Sequence, residues 1–347
     1  MIPQSTAQVE PLSLIKHANP PEDWRTQLRE AYRTPQQLLN ALGFSEAQQA
    51  TLIADDQGFS TLVPKAFAQK MQPQDPTDPL LLQVLPRYEE AVKHPEFNDD
   101  PLQEAQFNPV PGVVHKYQGR ALLIAAGHCA INCRYCFRRH YPYSDQKRAR
   151  NEWRQSLSYI KKHADIKEII LSGGDPLALT DVQLFELIAA IEAIPHVKRL
   201  RIHSRLPIVL PQRITLELCQ RLAHSHLDCV MVVHANHANE LGKDVAQACA
   251  LLRQHQVQLL NQSVLLAHVN DTLTCLKELS ERLFEFGIMP YYLHLPDHVA
   301  GTTHFFVNLK RGQSLVAKMQ ASMSGYLVPK LVREEPGKKS KTLYSQS

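Results

Sequence analysis

Apolar and polar positions divide the chain into three parts. From about residue 113, short runs of consecutive apolar residues alternate with segments in which apolar residues recur at helical spacing. The runs predict buried strands, and the segments predict amphipathic helices. The predicted strands are residues 121–125, 168–171, 199–203, 229–233, 259–265 and 291–295, and the predicted helices include residues 181–194, 211–223, 244–254 and 273–286.

Repeated strand–helix units of this kind indicate a parallel sheet. Strands that are apolar along their whole length must be covered on both faces, and a curved sheet with helices outside it meets that requirement. We therefore expect an α/β fold over residues 108–324, a partial (β/α)6 barrel that is similar to a TIM barrel. Functional side chains should follow the C-terminal ends of its strands.

The regions on either side of the predicted barrel have different patterns. Residues 1–107 predict a mainly helical region, in which Asp23 is an N-cap, Thr34 precedes a helix-opening Pro35, and Ser45 forms a capping box with Gln48. Residues 88–93 also have a helical pattern. Residues 325–347 leave the alternation, and the charged residues 334–341 predict a turn-forming tail.

Composition narrows the class of protein. The 347 residues are 44% hydrophobic and 21% charged, too apolar for a disordered chain. The net charge of +4 has no single-sign clustering, so nucleic-acid binding is not indicated. No apolar run approaches the roughly 20 residues that span a bilayer, and the N-terminus lacks the cationic start and apolar core of a signal peptide. These features predict a cytoplasmic protein without a membrane span.

Three of the seven cysteines lie close together. Cys129, Cys133 and Cys136 have the spacing CxxxCxxC directly after the first predicted strand, which indicates a local metal site in a reducing compartment rather than a disulfide framework. Three thiolates can bind three irons of a four-iron cluster and leave the fourth open. A zinc ion completed by His128 or His140 is the alternative. We expect the other four cysteines to be core thiols.

A glycine motif, LSGGDP, follows the second predicted strand. Gly173 and Gly174 allow another part of the backbone to approach closely. An exposed carboxylate at Asp175, with the carbonyl groups beside it, can accept an ammonium group. A turn that merely ends the strand is the alternative interpretation.

The cysteine spacing, Phe137 after the third cysteine and the glycine motif together resemble the radical S-adenosylmethionine (SAM) superfamily. In that superfamily the open iron binds the amino and carboxylate groups of SAM, and the glycine motif binds the SAM amino group. A narrower resemblance, to the lysine 2,3-aminomutase family, extends from about residue 108 to 342. It rests on PVPGVVHKYQGRALL, CRYCFRRH, LSGGDPL, RIHSRLPIVLPQRIT, NQSVLL, VNDT, PYYLHLPD and GYLVP, followed by PG and Lys341.

The narrower resemblance implies cofactors as well as a fold. Members of the family combine SAM, a 4Fe-4S cluster and pyridoxal 5′-phosphate (PLP) to move an amino group from Cα to Cβ of lysine. Lys341 matches the lysine that binds PLP covalently, as a nucleophilic amine reacts with an aldehyde. The glycine run that usually precedes this lysine is replaced here by residues 337–340, of which only Gly337 is a glycine.

The resemblance also implies roles for other side chains. Arg138 matches the arginine that receives the substrate carboxylate. Asp297 and Glu334 match two acids that bind the distal ammonium of lysine, although the family has aspartate where this chain has Glu334. Arg120 lies in a stretch that resembles the family's PLP-binding region, and its guanidinium can hold the PLP phosphate. Lys116 and Tyr117 belong to the same PLP-binding stretch, and His234 is a weaker candidate for the cofactor pocket.

The resemblance further implies a branch of the family. Larger members continue past the PLP lysine into a zinc-binding tail and carry a cysteine after VND, where this chain has Thr272. The pattern resembles bacterial members that make (R)-β-lysine for attachment to elongation factor P, ahead of a synthetase-like ligase. A catabolic lysine aminomutase is the nearest alternative. A glutamate 2,3-aminomutase is disfavoured, because two distal acids repel a side-chain carboxylate.

Other classes of protein are open at this point. A radical SAM methyltransferase that modifies RNA or protein would need no PLP, and a zinc-stabilised scaffold would have no catalysis. A radical SAM enzyme needs an electron donor such as flavodoxin or ferredoxin. The sequence leaves open whether the chain forms a homo-oligomer, and whether it contacts elongation factor P or the ligase directly.

Overall fold

A nine-stranded sheet, with its strands in chain order, forms the centre of the computed structural model, which describes residues 23–54, 58–141 and 151–344. The strands are β1 Val113–Tyr117, β2 Arg120–Ala126, β3 Glu168–Gly173, β4 Arg199–Ser204, β5 Asp228–Val233, β6 Gln258–Val264, β7 Met289–His294, β8 Lys330–Arg333 and β9 Thr342–Leu343. Strands β2 to β8 run parallel, and β1 and β9 pair antiparallel at the two edges.

Helices lie along the chain before, between and after the parallel strands. They are α1 Trp24–Arg29, α2 Pro35–Ala41, α3 Glu46–Leu52, α4 Lys65–Ala68, α5 Asn151–Lys162, α6 Asp181–Glu192, α7 Leu206–Val209, α8 Leu216–Ala223, α9 Lys243–Gln254, α10 Leu273–Glu285 and α11 Leu309–Gln320. None of the helices in the described ranges is long and apolar enough to cross a membrane.

The predicted α/β architecture is confirmed, with three further strands, β1, β8 and β9, of which β8 is parallel. All six predicted strands are present as β2 to β7, and within the described residues the sheet is an open, partial barrel rather than a closed one. The additional parallel strand, β8, escaped the sequence pattern because it has only four residues and two of them, Lys330 and Arg333, are charged. Its neighbour β9 is shorter still.

The charged segment 334–341 is therefore not a tail. It connects β8 to β9, and the chain returns to the sheet through the pairs Val332 with Leu343 and Arg333 with Thr342. The predicted turn is present within it, at Gly337, whose φ of 76° is in the left-handed region that favours glycine. This connection holds Lys341 next to the sheet.

Successive residues of the parallel strands face opposite sides of the sheet, as the geometry of a strand requires. One set of alternate residues packs into the main hydrophobic core, including Leu123, Ile169, Leu171, Leu200, Ile202 and Met231. The other set lines a cavity on the concave side, including Leu122, Ile170, Arg201, His203, Val232, Gln262, Tyr292 and His294. The interior of this partial barrel is thus a cavity rather than a packed core.

Helix starts in the N-terminal region follow the predicted caps. The side chains of Asp23, Thr34 and Ser45 accept backbone hydrogen bonds at the starts of α1, α2 and α3, and Ser45 forms the predicted capping box with Gln48. The predicted helix over residues 88–93 is wrong: only a 3₁₀ turn, Tyr88–Ala91, forms there. The apolar residues of this region share the main core with the sheet, among them Leu38, Leu39, Phe67, Leu80 and Leu81.

The predicted helix over residues 211–223 begins later than its pattern suggested. Pro211–Arg213 forms a 3₁₀ turn, and α8 starts only after Thr215, whose side chain caps it by accepting from the backbone N–H of Leu218. A β-branched hydroxyl residue competes for backbone hydrogen bonds and therefore favours the cap over the helix interior.

Candidate active site

The concave side of the sheet encloses a cavity of about 820 Å³, within the usual size range of ligand sites. Its walls are the loops that follow β2, β3, β4 and β7, the inward side chains of the strands, and the connection between β8 and β9. The three cysteines, the glycine motif and Asp297 line this cavity after the C-terminal ends of β2, β3 and β7, where functional groups are expected, whereas Arg120 lies at the N-terminal end of β2.

All three clustered cysteines line the cavity from the loop after β2. Desolvation, reinforced by the neighbouring sulfurs, raises the pKa of the Cys129 thiol well above its usual range and that of Cys136 to about 11. Three sulfur donors on one loop at the cavity wall are the ligand type that iron–sulfur clusters take, so the donor set fits such a cluster.

His128 and His140 are the two histidines that could complete a zinc site with the cysteines. His140 shares a hydrogen bond of 3.1 Å with the carbonyl oxygen of Ala300, and His128 is exposed. Across the described ranges, no group of three or more His, Cys, Asp or Glu side chains is arranged to hold one metal ion. A four-iron cluster does not require such an arrangement, because its three cysteines bind three different irons.

The N-terminal region holds the cysteine loop in place. The fully buried Arg134, between Cys133 and Cys136, donates two hydrogen bonds to Glu90, and Arg139 donates a third. The positive charge of the arginines outweighs the effect of burial and lowers the pKa of Glu90. Buried ion pairs persist only where hydrogen bonds accompany the charges, and both oxygens of Glu90 accept hydrogen bonds from these arginines. The side chains of Arg134 and Arg139 thus fix the cysteine loop to the N-terminal region.

Close backbone approach at the glycine motif is present as predicted. The amide of Gly174 donates to the carbonyl of Ala126 at 2.8 Å. A Cβ on Gly174 would lie 2.3 Å from the carbonyl oxygen of His128, and one on Gly173 would lie 2.7 Å from that of Ala126. Only glycine lets the end of β3 pack against the start of the cysteine loop.

The predicted exposed carboxylate of Asp175 is wrong. Asp175 is buried, and its two oxygens accept hydrogen bonds from the Ser204 hydroxyl and the amides of Leu177, Arg205 and Leu206. A carboxylate has about four acceptor positions, so none is left for an ammonium group. Asp175 instead ties the ends of β3 and β4 together, a structural task that its position in a short motif does not reveal.

Arg138 lies in the cavity wall with a partner that sequence reasoning missed. It donates from Nε and Nη2 to the carboxylate of Glu104, at 2.8 Å each, and from Nη1 to Ser172 and the carbonyl of Gly173. Arg138 overcomes the effect of burial and lowers the pKa of Glu104. Nothing in the helical pattern around Glu104 signals this pairing.

Lys341 and Glu334 form a three-membered charge group with Lys116. Lys341 Nζ lies 2.7 Å from one oxygen of Glu334, and Lys116 Nζ lies 3.0 Å from the other. Burial alone would raise the pKa of Glu334, but the two lysines hold it at about 2. Both oxygens of the predicted substrate acid therefore already face cations of the chain itself.

Asp297 and Arg120 line the same cavity. Desolvation raises the pKa of Asp297 to about 7, although the nearby Lys341 opposes the shift. The guanidinium of Arg120 lies 4.5 Å from the ring centre of Tyr117 and forms no ion pair within the described ranges. The cavity thus contains an acid that titrates near neutrality and a cation available to an anionic ligand.

Four histidines line the cavity: His203 and His294, which sequence reasoning missed, His128, named from the sequence as a zinc candidate, and the predicted pocket candidate His234. Its Nε2 lies 2.9 Å from the hydroxyl of Tyr135, and burial lowers its pKa to about 3. His203 and His294 have buried Nε2 atoms without hydrogen-bond partners. Buried polar atoms of this kind indicate a place for a ligand. The position of His203 at the end of a predicted strand was the available signal.

Residues 123–273 match the family model described as the Radical SAM superfamily. An L-lysine 2,3-aminomutase of Haemophilus influenzae is 47% identical over 325 residues, which cover 94% of this chain and 96% of that protein. The corresponding protein of Escherichia coli is 48% identical, with 92% and 94% of the two chains covered. That of Clostridium subterminale is 35% identical, with 92% and 77% covered.

The sheet, the three-cysteine loop and the matched family model define a radical SAM enzyme, which implies SAM and a four-iron cluster. At the identity and coverage of its relatives, the chain belongs to the lysine 2,3-aminomutase family and is an isomerase. The predicted family is thereby confirmed.

Replacing Gly174 tests the contact between the glycine motif and the cysteine loop. In Gly174→Ala the new methyl meets the backbone of His128, so the loop beside Cys129 must move. We expect a loss of about 1–3 kcal/mol in unfolding free energy and a lower iron content after anaerobic reconstitution. The control is Gly325→Ala, whose Cβ meets nothing within 4 Å. Equal iron content in the two variants would contradict the prediction.

Proposed function

We propose that the protein is a radical SAM, PLP-dependent 2,3-aminomutase that converts α-lysine to (R)-β-lysine. The observation that carries the proposal is that the cysteine loop after β2 and Lys341 from the β8–β9 connection face one cavity. An enzyme that couples radical chemistry to a lysine-bound aldehyde cofactor needs these two features side by side. The names of the relatives support lysine as the substrate.

Cys129, Cys133 and Cys136 hold the cluster in this proposal. A four-iron cluster held by these cysteines would, with SAM, supply the radical chemistry that removal of a hydrogen from Cβ of the substrate requires. The backbone of Gly173 and Gly174 lies against the cysteine loop, which supports a role of these residues in binding SAM. Since the Asp175 carboxylate is fully engaged, its contribution is to hold this backbone in position.

Lys341, Arg120 and the cavity histidines are suited to PLP. When bound, PLP supplies a conjugated ring system that stabilises the migrating nitrogen. Lys341 offers the nucleophilic amine, and Glu334 keeps it positioned at the cavity wall. The guanidinium of Arg120 suits a phosphate group, and the unpartnered nitrogens of His203 and His294 offer hydrogen bonds to a polar ligand.

The substrate is held at both ends in this proposal. Arg138 suits the carboxylate beside the cluster, although its Nε and Nη2 already donate to Glu104 and its Nη1 to Ser172 and the carbonyl of Gly173. Asp297 is better suited than Glu334 to bind the distal ammonium, because Lys116 and Lys341 neutralise Glu334. The sheet and its loops exclude water, which protects a carbon radical from side reactions.

The proposal also implies a cellular setting. All seven cysteines are free thiols, and a cluster that must be reduced needs an electron donor such as flavodoxin or ferredoxin. A reducing compartment keeps the thiols available, so we propose a cytoplasmic location.

Anaerobic assay of the Lys341→Ala variant tests the proposed function. Wild-type protein with dithionite, SAM and PLP should convert α-lysine to β-lysine and show the absorbance band of covalently bound PLP. Lys341→Ala should lose the band and nearly all activity, because the variant lacks the proposed nucleophilic amine. Lys339→Ala, an exposed lysine of the same connection, is the control and should keep both. Failure of the wild type to form β-lysine would refute the proposal.

The pH dependence of KM tests Asp297. Only its ionised form attracts the substrate ammonium, which stays charged to about pH 10. With a pKa of about 7, the attraction is present above neutrality and is lost as the pH falls through 7. We expect KM for lysine to rise below pH 7. Asp297→Asn should abolish this dependence and raise KM roughly tenfold to a hundredfold, because a hydrogen bond to a charged group contributes about 1.5–3 kcal/mol to binding.

The matched control for Asp297→Asn is Asp228→Asn. Asp228 is exposed at the N-terminal end of β5, the opposite end of the sheet from the cavity loops. This variant should keep the wild-type KM profile. A wild-type KM that is flat between pH 6 and 8 would count against Asp297 as the distal acid.

We further propose that the product serves the modification of elongation factor P, attached by a synthetase-like ligase. This step rests on the sequence resemblance, including Thr272 after VND. Mass spectrometry of elongation factor P from cells with and without the gene tests it. The β-lysyl adduct should disappear in the deletion strain and return with wild-type protein but not with Lys341→Ala. An adduct that persists in the deletion strain would exclude this role.

A further inference from the structure

A cation from another part of the chain contacts one of the clustered cysteines. Arg205 follows β4 directly, and its Nη1 donates to Cys133 Sγ. The Arg205 side chain is buried, and its guanidinium lies over the rings of Phe67 and Tyr135. A guanidinium keeps its charge at every relevant pH. This sulfur therefore has a permanent cationic donor.

The position of Arg205 is fixed by a buried polar network. Its Nη2 donates to Gln83 Oε1 at 2.7 Å and to Glu240 Oε2 at 3.1 Å. Gln83 in turn donates to Glu240 at 3.2 Å and accepts from Asn236 at 3.0 Å. The backbone amide of Arg205 donates to Asp175 at 2.8 Å. The N-terminal region, the glycine motif and the segment after β5 thus converge on one arginine.

A buried donor of Arg205 has no partner. Its Nε is inaccessible to solvent and makes no hydrogen bond to the residues described. A buried donor without an acceptor costs about 1–3 kcal/mol. The sulfur atoms of an iron–sulfur cluster accept hydrogen bonds, so a cluster beside Cys133 offers a partner of the required kind.

We propose that Arg205 is a positioning residue that holds Cys133 in place and raises the reduction potential of the cluster. The inference rests on the proposed function only in requiring that the three cysteines bind a four-iron cluster. One-electron reduction adds a negative charge to the cluster, and a cationic hydrogen-bond donor on a ligand sulfur stabilises the reduced form more than the oxidised form. Low local dielectric strengthens this effect.

Glu240 reduces the effect without cancelling it. Its carboxylate faces Nη2 of Arg205, whereas the Cys133 sulfur faces Nη1, so a cationic N–H group lies directly against the sulfur. Glu240 also accepts from the amides of Asn236 and His237, which hold its charge in place. The network therefore anchors the arginine while leaving one donor group for the cysteine.

Redox titration of reconstituted full-length protein, followed by electron paramagnetic resonance, tests the proposal. Arg205→Met removes the donor and the charge. At a fixed solution potential, the ratio of reduced to oxidised cluster in this variant should fall roughly tenfold. This corresponds to a reduction potential that is lower by about 59 mV. Arg205→Lys keeps the charge but lacks the guanidinium that contacts Cys133, Gln83 and Glu240 together. The reduction potential of its cluster should therefore fall too, but by less than in Arg205→Met. Iron content and thermal unfolding are measured for each variant.

Arg221→Gln is the matched control, because it breaks a comparable arginine–glutamate pair, with Glu192, between α8 and α6 and outside the cavity. It should keep the wild-type potential. An unchanged potential in Arg205→Met with a full cluster overturns the inference alone. If Arg205→Met does not bind a full cluster, the reduction potential of Arg205→Lys is used instead. An unchanged potential in that variant overturns the inference. A wild-type protein that binds no four-iron cluster overturns the proposed function as well.

Discussion

The alternation of side chains along a curved parallel sheet is the constraint on which this structure depends. Residues such as Leu171 and Ile202 pack into the core on one face, and their neighbours Ile170 and His203 reach the cavity on the other. Because the strands run parallel, their C-terminal ends and the loops that follow them meet at one edge. Residues far apart in the chain therefore share one site.

Charge balance inside the cavity follows from the same enclosure. Buried charges must be paired, and the chain pairs them with its own residues: Glu334 with Lys116 and Lys341, and Glu104 with Arg138. This pairing separates residues that look equivalent in the sequence. Glu334 and Asp297 are both acids, yet the first is neutralised with a pKa of about 2 and the second titrates near 7.

Features with a local cause were predictable. The buried strands β2 to β7, the caps at Asp23, Thr34 and Ser45, and the placement of the cysteine loop all follow from patterns within a few residues. The short strands β8 and β9 were not predictable. They are too short to show an alternation of apolar and polar residues, and they form by pairing with the sheet. The exposure expected for Asp175 failed because three of its four donors come from the end of β4 and the residues directly after it.

The sequence by itself determined the α/β class and the three cysteine ligand candidates, because each depends on residue type, period or spacing, whereas Lys341 became a candidate only through the family resemblance. The tertiary structure decided which groups meet. Arg205 reaches Cys133, Glu90 binds Arg134, and Glu104 binds Arg138 across long separations in the chain. Such contacts arise from packing against a common core, and no local pattern encodes them. The assembly of the site therefore belongs to the fold rather than to any one motif.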